Sequence, residues 1–412
     1  MKRKLVVIGA GMASGRMLEH LFNAAPDQWE VTLFNAEPRG NYNRLMLSPV
    51  LSGEKTYAQI VTHDEGWYAA RGVTCRFGES VTQVDRSARI VRSAGGDTPY
   101  DALVMATGSA PFIIPVVGKE LPGVVTYRDL EDTEAMIAAG LAGKSAVVIG
   151  GGLLGLEAAA GMAARGASVT VIHLMGHLME RQLDPAAGAL LQQDLERRGI
   201  TVHCKGATKA ILGDGKAEAV LLEDGTVYPA DLVCMAVGIR PETRLANDAG
   251  LEVARGIVVN DAMRTSDPHI FALGECVEHR DQLFGLVAPL YLQAEVLAQT
   301  LLNKPATFRP VQTATRLKVT GCELFGAGDF APGEGREDIV LRDPQGGIYK
   351  RLVLQGDRII GIVMYGDTAD GGWFYDLLQR EANIGAMRDA LIFGPAFQPK
   401  AAPEPAQLAE AC

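Results

Sequence analysis

Cysteine is scarce in this 412-residue chain, and what there is lies apart. The six are Cys75, Cys204, Cys234, Cys276, Cys322 and Cys412, no two within five positions of each other. Local C-x-x-C pairs for metal or redox work are excluded, and the usage fits a reduced compartment. Among seven histidines only His173 and His177 are close, and they straddle a strand end and a loop rather than share a helix face, so no metal site is expected. Basic charge is also in deficit. With 39 lysines and arginines against 49 acids the net charge is −10, which disfavours a nucleic-acid binder. No apolar run reaches the ~18 residues of a membrane span. The longest, around 102–118, is broken by Thr107, Ser109, Pro111 and Pro115. The expectation is a cytoplasmic chain with no membrane or nucleic-acid partner. The start, M-K-R-K-L-V-V-I-G-A-G-M-A, has the outline of a signal peptide, but two glycines inside its apolar stretch favour a first strand entering a turn.

What is abundant is glycine: 47 residues, about 11% against a usual ~7%. Two segments share one pattern. Leu5-Val6-Val7-Ile8 enters Gly9-Ala10-Gly11-Met12-Ala13-Ser14-Gly15, and Ala146-Val147-Val148-Ile149 enters Gly150-Gly151-Gly152-Leu153-Leu154-Gly155. Each continues into a helical stretch and a second apolar strand, at 31–34 and 168–172. This is βαβ twice over, so the fold class is α/β with two dinucleotide-binding units. In such a unit the first glycine permits the sharp turn, the second lets the backbone approach a pyrophosphate, and the helix N-terminus offers N–H groups to it. The second segment fits G-x-G-x-x-G without departure. The first has Ser14 for the third glycine, with Gly15 beside it.

Two units ask for two dinucleotides, and FAD with NAD(P)H is the economical pairing. The buried strand and turn Y-D-A-L-V-M-A-T-G-S-A-P, residues 100–111, and I-F-A-L-G-E, residues 270–275 with Thr265 before it, support that pairing. Glu275 can accept a hydroxyl from a flavin's ribityl chain. Elsewhere, 187–198 reads as an amphipathic helix, 288–302 as another starting at Pro289, and 316–367 as short strands of an antiparallel sheet. The Ala/Pro-rich tail after Phe397 reads as disordered.

Together these strings resemble the two-dinucleotide, glutathione-reductase-like flavoprotein reductases. The disulfide-reducing branches carry reactive cysteines after the first or second strand. Here Tyr42-Asn43-Arg44-Leu45-Met46-Leu47-Ser48 stands there with no sulfur, so thiol chemistry has no obvious place. E-P-R-G-N-Y-N-R-L-M-L-S is similar instead to ferredoxin and rubredoxin reductases and the apoptosis-inducing-factor type. It is closer still to the N-terminal flavoprotein part of bacterial assimilatory NAD(P)H nitrite reductase. H-L-M-E-R-Q-L-D at 177–184, F-G-L-V-A-P-L-Y at 284–291, I-Y-K-R-L at 348–352 and G-D-T-A-D at 366–370 extend the likeness to about residue 396.

The resemblance implies roles. Gly9, Gly11, Met12, Ala13 and Gly15 would line the FAD pyrophosphate, and Glu37 the adenosine ribose, although Ala36 replaces a second acid common in relatives. Arg44 and Ser48 would hold FAD phosphates and flavin, and Ala106, Thr107, Gly108 and Glu275 would lie against the cofactor. Pro289 would open a helix whose dipole stabilises negative charge on the flavin. Gly150, Gly152, Leu153, Leu154, Gly155 and Gly238 would line the NAD(P)H site. Glu157 would approach the nicotinamide, its usual lysine partner being Pro49 here. His173 takes the place of the acid that reads the ribose 2′-OH, which leaves NADH and NADPH both open, with Arg181 a candidate phosphate contact.

The implied layout is an FAD domain at 1–115 and 242–308, an NAD(P)H domain at 116–241, a C-terminal α+β domain at 309–398 and a tail at 399–412. The implied activity is electron entry for nitrite or nitrate assimilation, with an iron–sulfur or siroheme protein as acceptor. The chain ends before the cysteine-rich and sirohaem regions of such reductases and is expected not to reduce nitrite alone. The alternatives are a stand-alone ferredoxin or rubredoxin reductase and a slow, redox-sensing interaction module. Oligomeric state is left open.

Overall fold

The computed structural model describes residues 2–310, 314–319 and 321–397. The tail expected to be disordered lies outside them. The chain divides into two compact units, Met1–Leu174 with Gly199–Val311, and Met175–Arg198 with Gln312–Cys412.

The first unit holds two five-stranded parallel sheets. One comprises β1 (Arg3–Ile8), β2 (Trp29–Asn35), β3 (Thr74–Phe77), β4 (Ala102–Met105) and, from far along the chain, Ile270–Ala272, in the order Ile270–Ala272, β4, β1, β2, β3. The other comprises β5 (Val124–Val125), β6 (Ser145–Ile149), β7 (Ser168–His173), β8 (Thr201–Cys204) and β9 (Leu232–Met235), in the order β8, β7, β6, β9, β5. Ile270–Ala272 is β10. The central strands are β-branched and buried on both faces, as a covered parallel sheet requires. The N-terminal segment is thus the middle strand of a sheet, with Val7 between Leu33 and Val104.

After each central strand comes a helix, α1 (Met12–Ala24) and, after α2 (Leu47–Ser52) and α3 (Leu130–Leu141), α4 (Leu153–Ala164). Helix α5 (Pro185–Arg197) starts two residues before the expected 187. Proline suits the first helical position, and Asp184 caps the helix by accepting the Ala187 N–H at 3.0 Å. Helix α6 (Val287–Leu301) also starts early, so Pro289 is its third residue rather than its first. The first turn has no use for that N–H, so proline fits there equally well.

The second unit contains the expected antiparallel sheet: β11 (Thr315–Val319), β12 (Cys322–Gly328), β13 (Arg336–Asp343), β14 (Ile348–Gln355) and β15 (Arg358–Tyr365), in the order β11, β12, β15, β14, β13. Helix α7 (Gly371–Gln379) packs Phe374 and Leu378 into a core with Phe325, Leu352, Leu354, Ile362 and Met364. Two strings noted in the sequence meet here. The buried Lys350 ammonium lies 2.6 Å from Asp367 and 3.5 Å from Asp370.

Asp184 is 6% exposed, and besides capping α5 it accepts the Tyr349 O–H at 2.7 Å and an Arg351 N–H at 3.1 Å. Asp184→Ala removes the cap of α5 and the acceptor of the buried Tyr349 hydroxyl, and leaves Arg351 with Asp338 alone at 3.0 Å, so a stability loss of about 1–3 kcal/mol is expected. Asp184→Asn keeps a capping oxygen and should lose less. Denaturant midpoints of the two variants check the order.

Candidate functional site

The two glycine turns are built alike. Gly9 has φ +107° and Gly150 φ +121°, and a Cβ on either would stand 2.2 or 2.3 Å from a backbone oxygen, of Ala106 or Ala236. Only glycine combines that conformation with that approach. Gly11 and Gly152 cap α1 and α4 with extended backbone and no side-chain hydrogen bond, and a Cβ on either would meet open space. Each helix therefore presents uncapped N–H groups and a positive dipole end to a cradle with no side chain in it, with Met12 and Ala13, or Leu153 and Leu154, as its first residues. That cradle is the shape a pyrophosphate needs.

The parallel extends to the neighbours. Ala106-Thr107-Gly108 and Ala236-Val237-Gly238 lie against Gly9 and Gly150, with φ +71° at Gly108 and +119° at Gly238. The Thr107 hydroxyl donates to the Glu242 carbonyl at 2.6 Å. The middle residue of each turn is tied to the end of the next strand. The Ala10 N–H donates to Asn35 Oδ1 at 3.3 Å, and the Gly151 N–H to His173 Nδ1 at 3.1 Å. In register, Ile8 pairs with Phe34 and Ile149 with Ile172, so Asn35 and His173 are equivalents. His173, expected beside a ribose, is buried and braces the turn. The accepting nitrogen carries no proton. Arg181 is exposed and belongs to the second unit.

The third glycine is where the turns differ. A Cβ on Gly155 would stand 2.0 Å from the Gly150 oxygen. Ser14 takes the equivalent place and its Oγ lies 2.6 Å from the Gly9 oxygen and 3.0 Å from that of Gly11. A contact that excludes a methyl becomes a hydrogen bond. Gly15 answers to something else, since a Cβ there would sit 2.6 Å from Asn41 Nδ2 and 3.0 Å from His63 Nδ1.

Asn41 is one of the residues that sequence reasoning missed, with Gln293, Tyr127 and Arg128. It is 2% exposed, and its amide donates to the Gly11 and Ala10 oxygens while its Oδ1 accepts from Thr62. It clamps the back of the first turn. The only hint in the sequence was its place in G-N-Y-N-R. On α6, Gln293 is fully buried, and its Oε1 accepts the Gly274 N–H at 2.8 Å. Its Nε2 has no partner among the described residues. Gly274 in turn faces Ala13 of α1.

Three carboxylates were singled out, and the structure gives each a different setting. Glu37 accepts the Tyr42 O–H at 2.8 Å and an ion pair from Arg44, which also donates to the Arg128 carbonyl at 2.9 Å. Glu275 accepts from Ser109 at 2.8 Å and from the Arg128 guanidinium at 2.6 Å. Glu157, on α4, accepts the Ser48 O–H at 2.6 Å, and Ser48 Oγ lies 3.0 Å from the Tyr127 hydroxyl. Burial raises the Glu157 carboxyl above its ordinary range, partly countered by Ser48. The same helix docks α2 lower down, where Gly161 meets Leu51 and Arg165 donates to the Leu51 and Val50 carbonyls.

Residues 3–296 match the pyridine nucleotide-disulphide oxidoreductase family. The chain belongs to that family. Residues 314–382 of this oxidoreductase match the rubredoxin NAD+ reductase C-terminal domain. It is 45% identical over 399 residues to the nitrite reductase [NAD(P)H] of Bacillus subtilis (strain 168), covering 96% of this chain and 50% of that protein. It is 38% identical over 403 residues to the assimilatory nitrate reductase electron transfer subunit of the same organism, covering 96% and 52%. The chain thus spans about half the length of these curated relatives. Among solved structures, the putidaredoxin reductase–putidaredoxin covalent complex matches with a TM-score of 0.82 at 27% identity, over 92% of this chain and 94% of that one. FAD is the oxidoreductase's cofactor and NAD(P)H its substrate, and the two open cradles fit two dinucleotides. Among the described residues, no helix is long and apolar enough to cross a membrane.

Proposed function

We propose that this oxidoreductase is the electron-entry component of an assimilatory nitrite or nitrate reductase, passing electrons from NAD(P)H through FAD to an iron–sulfur or siroheme partner. The observation that carries the reading is the likeness along 96% of the chain to a nitrite reductase and to a nitrate reductase electron transfer subunit. FAD, when bound, accepts a hydride and gives up electrons singly. The protein supplies placement and electrostatics. In this reading the turn at Gly9 and Gly11, with Met12, Ala13 and Gly15, seats the FAD pyrophosphate, and Glu37 and Arg44 flank its adenosine half. Ser48, Ala106, Thr107, Gly108, Glu275 and the Pro289 end of α6 face its flavin half. The turn at Gly150, Gly152 and Gly155, with Leu153, Leu154, His173 and Gly238, seats NAD(P)H, and Glu157 meets the nicotinamide. The domains of this reading are 1–115 with 242–308, 116–241 and 309–398, with residues 175–198 of the second grouping with the C-terminal sheet.

A second reading, a stand-alone ferredoxin or rubredoxin reductase, is favoured by the match of residues 314–382 and by the likeness to putidaredoxin reductase. Anaerobic titration of the flavin with NADH and NADPH, followed by candidate acceptors, separates the two. Fast transfer to a nitrite reductase iron–sulfur or siroheme partner, with slow transfer to ferredoxin and rubredoxin, is expected. The reverse order overturns the first reading in favour of the second. Flavin reduction far slower than metabolic turnover overturns both.

A further inference from the structure

Of the three carboxylates at the candidate site, two face a guanidinium and one does not. Glu37 has Arg44 and Glu275 has Arg128, whereas Glu157 has Ser48, with Tyr127 behind it. A guanidinium only donates, so Glu37 and Glu275 face a partner that cannot accept a hydrogen bond back. A hydroxyl both donates and accepts. With Glu157 ionised, Tyr127 donates to Ser48 and Ser48 to Glu157. With Glu157 protonated, its own O–H donates to Ser48, and Ser48 turns to donate to Tyr127. Both hydrogen bonds survive either state.

The Glu157 carboxyl meets Ser48 from α2, with Tyr127 from the loop before α3 behind it, the buried Cys234 of β9 beyond Tyr127, and beyond Cys234 the Asp132 carboxyl of α3, which accepts from Thr126 and the Arg128 N–H. Arg128, next in the chain to Tyr127, is committed to Glu275. Arg165, two turns further along α4, is committed to the Leu51 and Val50 carbonyls.

The proposed reaction has a proton to place. A hydride carries two electrons and one proton. Two iron–sulfur-type acceptors taking one electron each leave the proton behind: NAD(P)H and two oxidised acceptors give NAD(P)+, two reduced acceptors and H+. We propose that Glu157 takes up this proton and passes it to water, and that Ser48 and Tyr127 are positioning residues that keep it competent in both states. This rests on the electron-entry reading above.

The test uses the holoprotein and its Glu157→Gln, Ser48→Ala, Ser48→Thr and Tyr127→Phe variants. Proton release is followed with an indicator dye after mixing with NADH and ferricyanide as a one-electron acceptor. Infrared difference spectra on reduction follow the protonated-carboxyl band. E157Q should lose that band, flatten one limb of the pH profile and slow proton release at least tenfold while retaining FAD. S48A removes the donor to the ionised form and Y127F the donor that orients Ser48 toward it, so both should move the limb to higher pH, with S48T restoring it relative to S48A. A fold-damaged variant would lose FAD but would not move the limb. Unchanged band, limb and release rate in E157Q, with normal flavin reduction, overturn this proposal alone. Failure of NADH and NADPH alike to reduce the wild-type flavin overturns it together with the reading beneath it.

Discussion

Asn41→Leu is expected to purify with little FAD. Leucine matches asparagine in bulk but not in chemistry. The Ala10 oxygen would lose its side-chain donor, the Gly11 oxygen would keep only Ser14 and the Gly15 N–H, and the Thr62 hydroxyl would be left with the backbone carbonyl of residue 41. A buried polar group left without a partner costs about 1–3 kcal/mol. A turn that relaxes to recover those bonds no longer aims its N–H groups into the cradle, so affinity for FAD should fall on the order of 100-fold. The flavin-to-protein absorbance ratio after purification, and reconstitution followed by flavin fluorescence, measure this. Binding at the turn of Gly150 does not involve Asn41, so NADH affinity should hold. Full FAD occupancy in N41L would mean that the turn keeps its shape without the clamp.

Gly150→Ala should do the converse. Its Cβ would stand 2.3 Å from the Ala236 oxygen at φ +121°, a conformation that costs an L-residue about 1–2 kcal/mol before any clash is relieved. Either the turn or the strand end after β9 must shift, and the second cradle loses its form. FAD content should be retained while the rate of flavin reduction at a fixed low NADH concentration falls at least 100-fold. Gly9→Ala, with the same geometry at the other turn, should lose FAD instead. Because the two sites are so alike, this crossed pair, read by FAD content and stopped-flow reduction, is the sharpest check on which nucleotide each takes. FAD loss in G150A with normal retention in G9A would reverse the assignment.

The parts legible in the sequence were local ones. A strand, a glycine turn and a helix occupy some twenty consecutive residues, so both nucleotide units could be read directly, including Ser14 as the departure. Contacts across long separations were not legible. Ser48 reaches Tyr127 across 79 positions and Glu157 across 109, and Tyr349 reaches Asp184 across 165. No periodicity encodes these. Asn41 lay in a string noted only for likeness, because a buried amide that braces a turn looks like any loop asparagine until its acceptors are seen. The helix starts at Pro185 and Val287 were misplaced for a related reason: proline is tolerated throughout a first turn, so it marks a helix start only to within a few residues.

Asp184 also bears on how this protein can be cut and recombined. Residues 175–198 lie between β7 and β8 in the chain, yet they group with the C-terminal sheet, where Asp184 meets Tyr349 and Arg351, and Arg198 reaches Cys322 at 3.2 Å. Truncation at residue 311 would strip Asp184 of both those partners. A chimaera that borrows the C-terminal sheet from a relative must import 175–198 with it. The exchangeable part is two separate stretches of chain, and a fusion joint drawn along the linear sequence would split it.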